Sequence, residues 1–436
     1  MNDPAAPAAP NRLPVVGHAP AFAREPFAAL ERWAEHGSVV RLEFPGERFY
    51  LVSDPEIVAT VFRDGERRFT IADQQRRAFA DVEDRAVSTA VGDRWRRLRG
   101  ALRPAFTREA VERCAEGIVE RTIARTETWT DGEEIDLHRE MRLLTLEILA
   151  ETLLDLDLRG DEDAVLAATD ALVARSDPRR LGAALPEWMP TPTDRRFRRT
   201  VRDLESVVER ALETPRGEGE NARTVLLEAH EASELTDREV RDNLVALLLA
   251  GTDTSALALT YGWYLLSQRP AVRRSLVAAY DDHVGSGRPA LGNFDGLEEV
   301  EHVVRETLRL YPPTWNTMRQ STESVVLGGH RLPEGAQFML PQWVFHRDER
   351  FWEAPTAFRP ARWADESDRP EYAYFPFGGR PRHCVGARFA RLELRLALAA
   401  MVGRVDLDVS VPEPLSFVPT LSLRPAVELS ATVRHR

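Results

Sequence analysis

The stretch Thr236 to Ser267 constrains the fold more than any other. It reads as one helix of about 30 residues, far beyond the usual length of about 11 to 12. Its centre, Leu244 to Ala250, is apolar all round, so the helix has to run through a core. The chain must therefore supply apolar partners to enclose it. With 436 residues, 43% of them hydrophobic, it can do so as one large domain or as two or three average ones. Just past the apolar centre comes Ala250-Gly-Thr-Asp-Thr-Ser255, a costly cluster in a buried helix. A hydroxyl here can bond back to the preceding turn and bend or open it. An acid beside an alcohol can pass protons to a bound ligand. The same small residues also suit a close helix crossing, and both readings stay open.

All 58 basic residues are arginine, since the chain contains no lysine, and the net charge is −12. No basic patch stands out, which argues against nucleic acid as a partner. The acidic, lysine-free composition points to a GC-rich genome and suits a halophile. Two cysteines, Cys114 and Cys384, are too few for a disulfide framework and fit a reducing compartment. Cys114 lies in a helical pattern and reads as structural. Met1 to Pro10 is rich in Ala and Pro, with neither the start of a signal peptide nor an anchor. A disordered tail on a soluble cytoplasmic protein is expected.

The rest of the pattern is mainly α with a minor β-sheet. Val39 to Phe44 and Arg48 to Val52 flank Pro45-Gly46, a hairpin signal. Asp54-Pro55 opens a helix to about Phe62. Phe69 to Gly92 is polar and weakly periodic and reads as a long loop with one short helix. A basic helix covers Asp93 to Leu102. Helices are expected at Arg108 to Trp129, His138 to Leu156, Glu162 to Ala174, Thr193 to Glu213, Ala222 to Glu231, Ala271 to Asp282 and Val300 to Leu310. Ser324 to Leu340 reads as a hairpin region. Val405 to Val411 and Leu415 to Leu429 read as strands.

Phe377-Gly-Gly-Arg-Pro-Arg-His-Cys-Val-Gly386 places Cys384 in a loop rich in Gly and Pro. An amphipathic helix, Ala387 to Val402, follows. Free amides at its N-terminus favour a thiolate, and Arg382 and His383 add positive potential. Gly386 lets something flat approach the backbone. A lone thiolate on such a loop suits a soft metal that takes one protein ligand, haem iron first among them. The plainer reading is a small apolar cysteine in a turn.

Three further groups carry chemistry. Trp95 and Arg99 lie at i and i+4, and their donors suit a carboxylate. Glu306 and Arg309 lie at i and i+3 among Val303, Val304, Leu308 and Leu310, a pair to be buried with a third partner. Phe358-Arg-Pro-Ala-Arg-Trp363 offers Arg362. Arg319 and His346 are lone candidates.

In this order and spacing, Trp95…Arg99, Ala250 to Ser255, Glu306…Arg309 with Phe358 to Trp363, and Phe377 to Gly386 resemble the cytochrome P-450 superfamily. The resemblance is to its soluble prokaryotic or archaeal-type members, and it runs from about Leu13 to the C-terminus. It implies one cytochrome P-450 domain over 11–436, with the long central helix over haem b (iron protoporphyrin IX). Cys384 would be the thiolate ligand of the iron, with Phe377 near the sulfur. Arg382, Trp95, Arg99, Arg319 and His346 would hold the haem propionates. Glu306, Arg309 and Arg362 would form a buried structural triad. Ala250 and Gly251 would line the distal pocket, and Asp253 and Thr254 would guide protons into it. The implied activity is a monooxygenase fed by a separate ferredoxin or flavodoxin, monomeric and without a membrane anchor.

The family usually has Gly four residues before the cysteine, and this chain has Arg380. Either Gly378 or Gly379 absorbs the turn, or Arg380 takes a strained conformation. Its side chain would face the proximal surface, where an acidic donor docks. Two other functions compete: a peroxide-driven oxidase on the same fold, and a non-enzymatic haem sensor. The acid–alcohol pair argues against both, and the long 69–92 segment argues against the sensor. The expected pocket walls are 69–92, 181–192, 247–254 and 313–318. All but the first are apolar, so a hydrophobic small molecule is expected, fatty acid or terpenoid-like. Ile71, Trp188, Met189, Leu247, Trp315 and Met318 are the expected contacts.

Overall fold

In the computed structural model, which describes residues 6–177, 191–214, 219–365, 368–410 and 415–436, the long helix forms as Asp237–Ser267. Thr236 caps it reciprocally. Its hydroxyl accepts from the Glu239 amide at 3.3 Å, and Glu239 Oε2 accepts from the Thr236 amide at 3.0 Å. The helix is long and apolar enough to cross a membrane, but it is mostly buried inside the protein. Leu137–Ile148, Pro192–Glu213, Ala222–Glu231, Glu298–Leu310 and the cysteine helix Ala387–Val402 pack around it. It stays regular through Ala250–Ser255, where the sequence allowed a bend. Thr254 Oγ1 does donate to Ala250 O at 2.7 Å, so the back-bond forms without opening the turn.

The five-stranded sheet has the order Val39–Phe44, Glu47–Val52, Gln337–Leu340, Thr317–Ser321, Phe69–Thr70. The expected hairpin pairs Val39 with Val52, and its turn uses Gly46 at φ +76°. The described part of the N-terminal tail is not free. Arg41 N donates to Pro7 O at 2.7 Å and Ala9 N to Arg41 O at 3.0 Å, with Ala6 and Ala9 buried.

Three expectations change. The 69–92 segment holds an eleven-residue helix, Asp73–Glu83. Its start is tied to the sheet, because the Asp73 amide donates to Gln320 Oε1 at 2.8 Å. The helix expected over Arg108 to Trp129 splits at Cys114 into Arg108–Arg113 and Ala115–Glu127. Leu415 to Leu429 is a short hairpin, Phe417–Pro419 with Leu423–Pro425, followed by the strand Ser430–His435.

A buried carboxyl joins the long helix to the cysteine helix. Ser255 Oγ donates to Glu393 Oε2 at 2.5 Å, and Glu393 is fully buried. Burial pushes its carboxyl up to about 8, against which the Ser255 bond works only in part. The folded group keeps its proton to about pH 8, whereas an unfolded Glu loses it near about pH 4.3. Between those values the folded state binds more protons. Its stability contribution is therefore complete below about pH 4.3 and is lost as pH rises towards 8, with a slope of about 1.4 kcal/mol per pH unit. Urea midpoints at pH 5.5 and 7.5 should show this fall, and Glu393→Gln should flatten it. An unchanged slope in the variant would remove Glu393 as its source. Glu83, also raised to about 8 by burial, acts with the same sign.

Candidate functional site

Cys384 lies two residues before Gly386, the N-cap of the cysteine helix. The loop is closed by Cys384 N donating to Phe377 O at 3.0 Å and Gly378 N donating to Phe375 O at 2.9 Å. Gly378 takes φ +69°, the left-handed turn that the sequence left to either glycine, and Arg380 is free of positive-φ strain. Gly379 is needed for another reason, since a Cβ there would meet the Phe62 ring at 2.3 Å. Cys384 is exposed, yet protein crowds round its sulfur. Burial raises its thiol. The amides of Gly386 and Ala387 and the charge of Arg99 work the other way.

Above the cysteine loop, the long helix shows the face that would meet a ligand. In a stretch otherwise buried, Ala250 is exposed and Leu247, Gly251 and Thr254 are half-exposed. These positions share one face at helical spacing. Ala250 is thus left uncovered by the protein's own side chains halfway along a helix that is otherwise buried. Gly251 also explains the alternative reading. A Cβ there would meet Leu149 Cδ2 at 2.6 Å, so its smallness serves the helix crossing.

A cation cluster lies beside the cysteine. Arg97 pairs with Glu239 at 2.6 Å and so fixes the helix Gly92–Leu102 to the start of the long helix. That helix carries Trp95 and Arg99. Arg99 Nη2 donates to His383 O at 2.9 Å. The Arg382 guanidinium lies 4.7 Å from the Trp95 ring centroid, donates to Ala90 O at 2.6 Å, and pairs with Glu66. Arg319, on the strand Thr317–Ser321, is buried over Phe62 at 5.2 Å. Burial, and then Arg382, lower its pKa to about 10. Among the described residues neither Arg99 nor Arg319 has a carboxylate within ion-pairing distance. Three guanidinium groups thus face one carboxylate, Glu66. The excess of two positive charges matches two propionates, so these residues fit haem.

His346 does not belong to this cluster. It is fully buried, its Nε2 accepts from the Phe375 amide at 3.1 Å, and its ring lies on Tyr374. Burial, and then Arg309 and Arg347, hold it neutral, which rules out a cation for propionates. Its carbonyl accepts from Arg309 Nη1 at 2.7 Å, which places it in the support of the triad. The triad itself comes together. Glu306 accepts from Arg309 Nε at 2.9 Å and Nη2 at 2.8 Å, and from Arg362 Nε at 3.0 Å. Trp363 Nε1 is a further donor at 3.0 Å, missed in the sequence.

Asp253 and Thr254 lie on different sides of the long helix. Thr254 is on the exposed face, whereas Asp253 is buried among charges. Arg424 pairs with it, Ser422 Oγ donates to it at 2.7 Å, and Arg142 Nε lies 3.8 Å away. Arg424 and Arg142 also hold Asp170, at 2.7 and 3.0 Å. Burial alone would raise the Asp253 carboxyl. Arg424, His138 and Arg142 outweigh it and hold the group below its usual value. Nothing near Arg424 or Asp170 in the sequence signals this role.

Of the expected substrate contacts, Leu247 is on the open face. Ile71 is buried and Met318 half-buried. Trp315 is a core residue, packed against Phe27 at 5.4 Å with its N–H donating to Thr420 O at 2.7 Å. Trp188 and Met189 lie outside the described residues.

Known proteins are similar to this chain along nearly its whole length. The cytochrome P-450 family model matches residues 7–429. Cyclooctatin synthase of Streptomyces melanosporofaciens is 30% identical, over 97% of this chain and 93% of that protein. Cyclooctat-9-en-7-ol 5-monooxygenase of the same organism is 29% identical, over 91% and 88%. Pentalenene oxygenase of Streptomyces avermitilis is 28% identical, over 98% and 94%. A cysteine on the loop before its helix, an open helix face above it and a matching cation cluster are thus joined by similarity along nearly the whole length, and the chain belongs to the cytochrome P-450 family as a monooxygenase.

Proposed function

We propose that the protein inserts one oxygen atom from O2 into a hydrophobic, terpenoid-like small molecule, with haem b held on Cys384 and electrons from a separate ferredoxin or flavodoxin. The observation that carries this reading is the open face Leu247–Ala250–Thr254 on a core helix, together with an exposed cysteine beside Arg99, which no carboxylate among the described residues answers. Arg99, Arg319, Arg382 and Trp95 would hold the propionates, and the Gly386 and Ala387 amides would hold the thiolate. When bound, thiolate-ligated haem supplies the dioxygen activation that C–H oxygenation needs. Pentalenene and cyclooctat-9-en-7-ol, named as substrates of two relatives, are polycyclic terpenoids, and this supports the same class here. The site of action would be the cytoplasm.

Thr254 Oγ1 would carry a proton at the open face, and Asp253, ionised beside Arg424, would take a proton from water and pass it on only after Arg424 lets go of it. Arg380, exposed on the loop before Cys384, would contact an acidic donor. One reconstituted assay tests these roles, with a ferredoxin, a terpenoid panel, and product measured against O2 consumed. Asp253→Asn should lower product formation by about 10²-fold. Arg380→Gly should keep its haem but accept electrons more slowly at low salt. Peroxide-supported turnover that Asp253→Asn leaves untouched, with none from the ferredoxin, would favour the peroxide-driven reading instead.

A further inference from the structure

The helix Pro192–Glu213 carries charge that the rest of the molecule does not answer. Arg195, Arg196, Arg198, Arg199 and Arg202 are all exposed. None makes an ion pair among the described residues. Their side chains bond only to backbone there, Arg198 Nε to Asp194 O at 3.4 Å and Arg202 Nε to Arg198 O at 3.2 Å. Phe197 and Val201 interrupt the arginines in sequence but turn inward in the helix, where they are buried. What remains outside is one basic stripe at i, i+3, i+4 and i+7, with Arg196 on its flank. The expectation of no basic patch is corrected here.

This pattern works against the helix that carries it. Like charges three and four residues apart repel, and cations near a helix N-terminus oppose its dipole. The acid of the first turn, Asp194, is taken up by the N-cap, where it accepts from Thr191 N at 3.0 Å and lies 3.7 Å from Arg175 Nε. Asp203, four residues after Arg199, is exposed and makes no ion pair among the described residues. Further along, Glu205 and Glu209 face Arg241 at 3.3 and 3.4 Å. The helix cannot roll the stripe inward, because Phe197, Val201, Leu204 and Val208 fix its opposite face in the core. The other arginine-rich helix, Gly92–Leu102, answers its charges, with Arg96 on Asp93 and Arg97 on Glu239, each at 2.6 Å. In a chain of net charge −12 acids are not scarce. A self-repelling stripe left open among them is a local rule broken, as happens at functional surfaces.

We propose that this face docks the enzyme on an anionic lipid surface. The stripe runs about 10 Å along the helix, and its side chains fan out from a convex face. They do not converge on one small anion, but they suit a plane of phosphate headgroups. The apolar face of the helix is already buried, so it offers the lipid charge alone, and the enzyme rests on the surface without inserting. The helix also packs against the long helix and against Asp73–Glu83, two elements of the expected pocket walls. Docking there holds those walls beside the bilayer, where an apolar substrate collects. This step rests on the hydrophobic-substrate reading above, and it favours lipid over an acidic protein or a nucleic acid, which charge alone would also admit.

The test uses the haem-loaded full-length enzyme, sedimented with vesicles of mixed phosphatidylglycerol and phosphatidylcholine or of phosphatidylcholine alone. The enzyme should bind the mixed vesicles at about 50 mM salt, lose most of that binding at about 300 mM, and ignore the neutral ones. Arg198→Gln, Arg199→Gln and Arg202→Gln combined should weaken binding about 10²-fold. The same exchange at Arg24, Arg269 and Arg274, exposed arginines elsewhere, should leave it nearly unchanged. Since the stripe repels itself, the stripe variant should melt no lower than the wild type, which separates lost binding from lost fold. No binding to the charged vesicles, equal binding by the stripe variant, or an equal loss in both triple variants would overturn the proposal. So would a DNA duplex or an acidic ferredoxin that binds the wild type more tightly than the vesicles do and is released by the stripe variant. Vesicle binding is read without substrate. Terpenes that fail to shift the Soret band would sink the hydrophobic-substrate reading and leave the docking face standing.

Discussion

Replacing Cys384 with serine is expected to abolish the strongly red-shifted Soret band that the reduced wild type gives with carbon monoxide. Monooxygenase activity should fall by about 10³-fold or more, equivalent to about 4 kcal/mol. The argument is one of elimination and geometry. Among the described residues no group of three or more His, Cys, Asp or Glu side chains could hold a metal ion. A metal held by a single protein ligand therefore needs one well-placed soft donor. Cys114 is a poor candidate, since it is buried and donates to Thr152 O at 3.4 Å. Cys384 is open, with two amides and Arg99 acting on its sulfur. The wild-type band alone checks the ligand, and the variant checks its identity. A red-shifted band that survives Cys384→Ser would sink the assignment. A wild-type band at the position of histidine-ligated haem would mean that the loop carrying Arg380 is distorted.

What could be read in the sequence follows how far each feature depends on distant residues. The long helix and the cysteine loop were legible because each is written within its own stretch, as an apolar centre and as a glycine-rich turn before an amphipathic helix. Asp253 was visible as an acid in a core helix, but its locked state was not. Its partners lie 171 residues away at Arg424, and at Arg142 and Ser422. The same limit misplaced His346, a lone histidine whose neighbours in space decide its role. The one helix expected in 69–92 could not be placed, because only Val82 and Glu83 are buried along Asp73–Glu83, so no apolar period marks it. A strand glutamine, Gln320, holds its first turn instead.

The triad gives the largest expected effect on stability. Glu306 is fully buried and accepts five hydrogen bonds, two from Arg309, one each from Arg362 and Trp363, and one from the Arg359 amide at 2.9 Å. Glu306→Gln preserves the shape but removes the charge that, among the described residues, answers two buried guanidinium groups. Breaking such a cluster from one side costs about 3–5 kcal/mol, because the remaining charges stay desolvated and unpaired. The exposed pair Arg359–Glu353, at 3.2 Å, makes the contrast, and Glu353→Gln should cost less than about 1 kcal/mol. Urea midpoints of the two variants would decide the matter, and equal midpoints would show that the cluster is not structural. The consequence reaches the site without touching it. Arg309 also donates to His346 O, to Pro355 O at 2.6 Å and to Ala357 O at 3.2 Å, and His346 in turn accepts from the Phe375 amide just ahead of the cysteine loop. Glu306→Gln should therefore loosen the platform under Cys384 and shed haem faster, while the protein that keeps its haem still gives the red-shifted band.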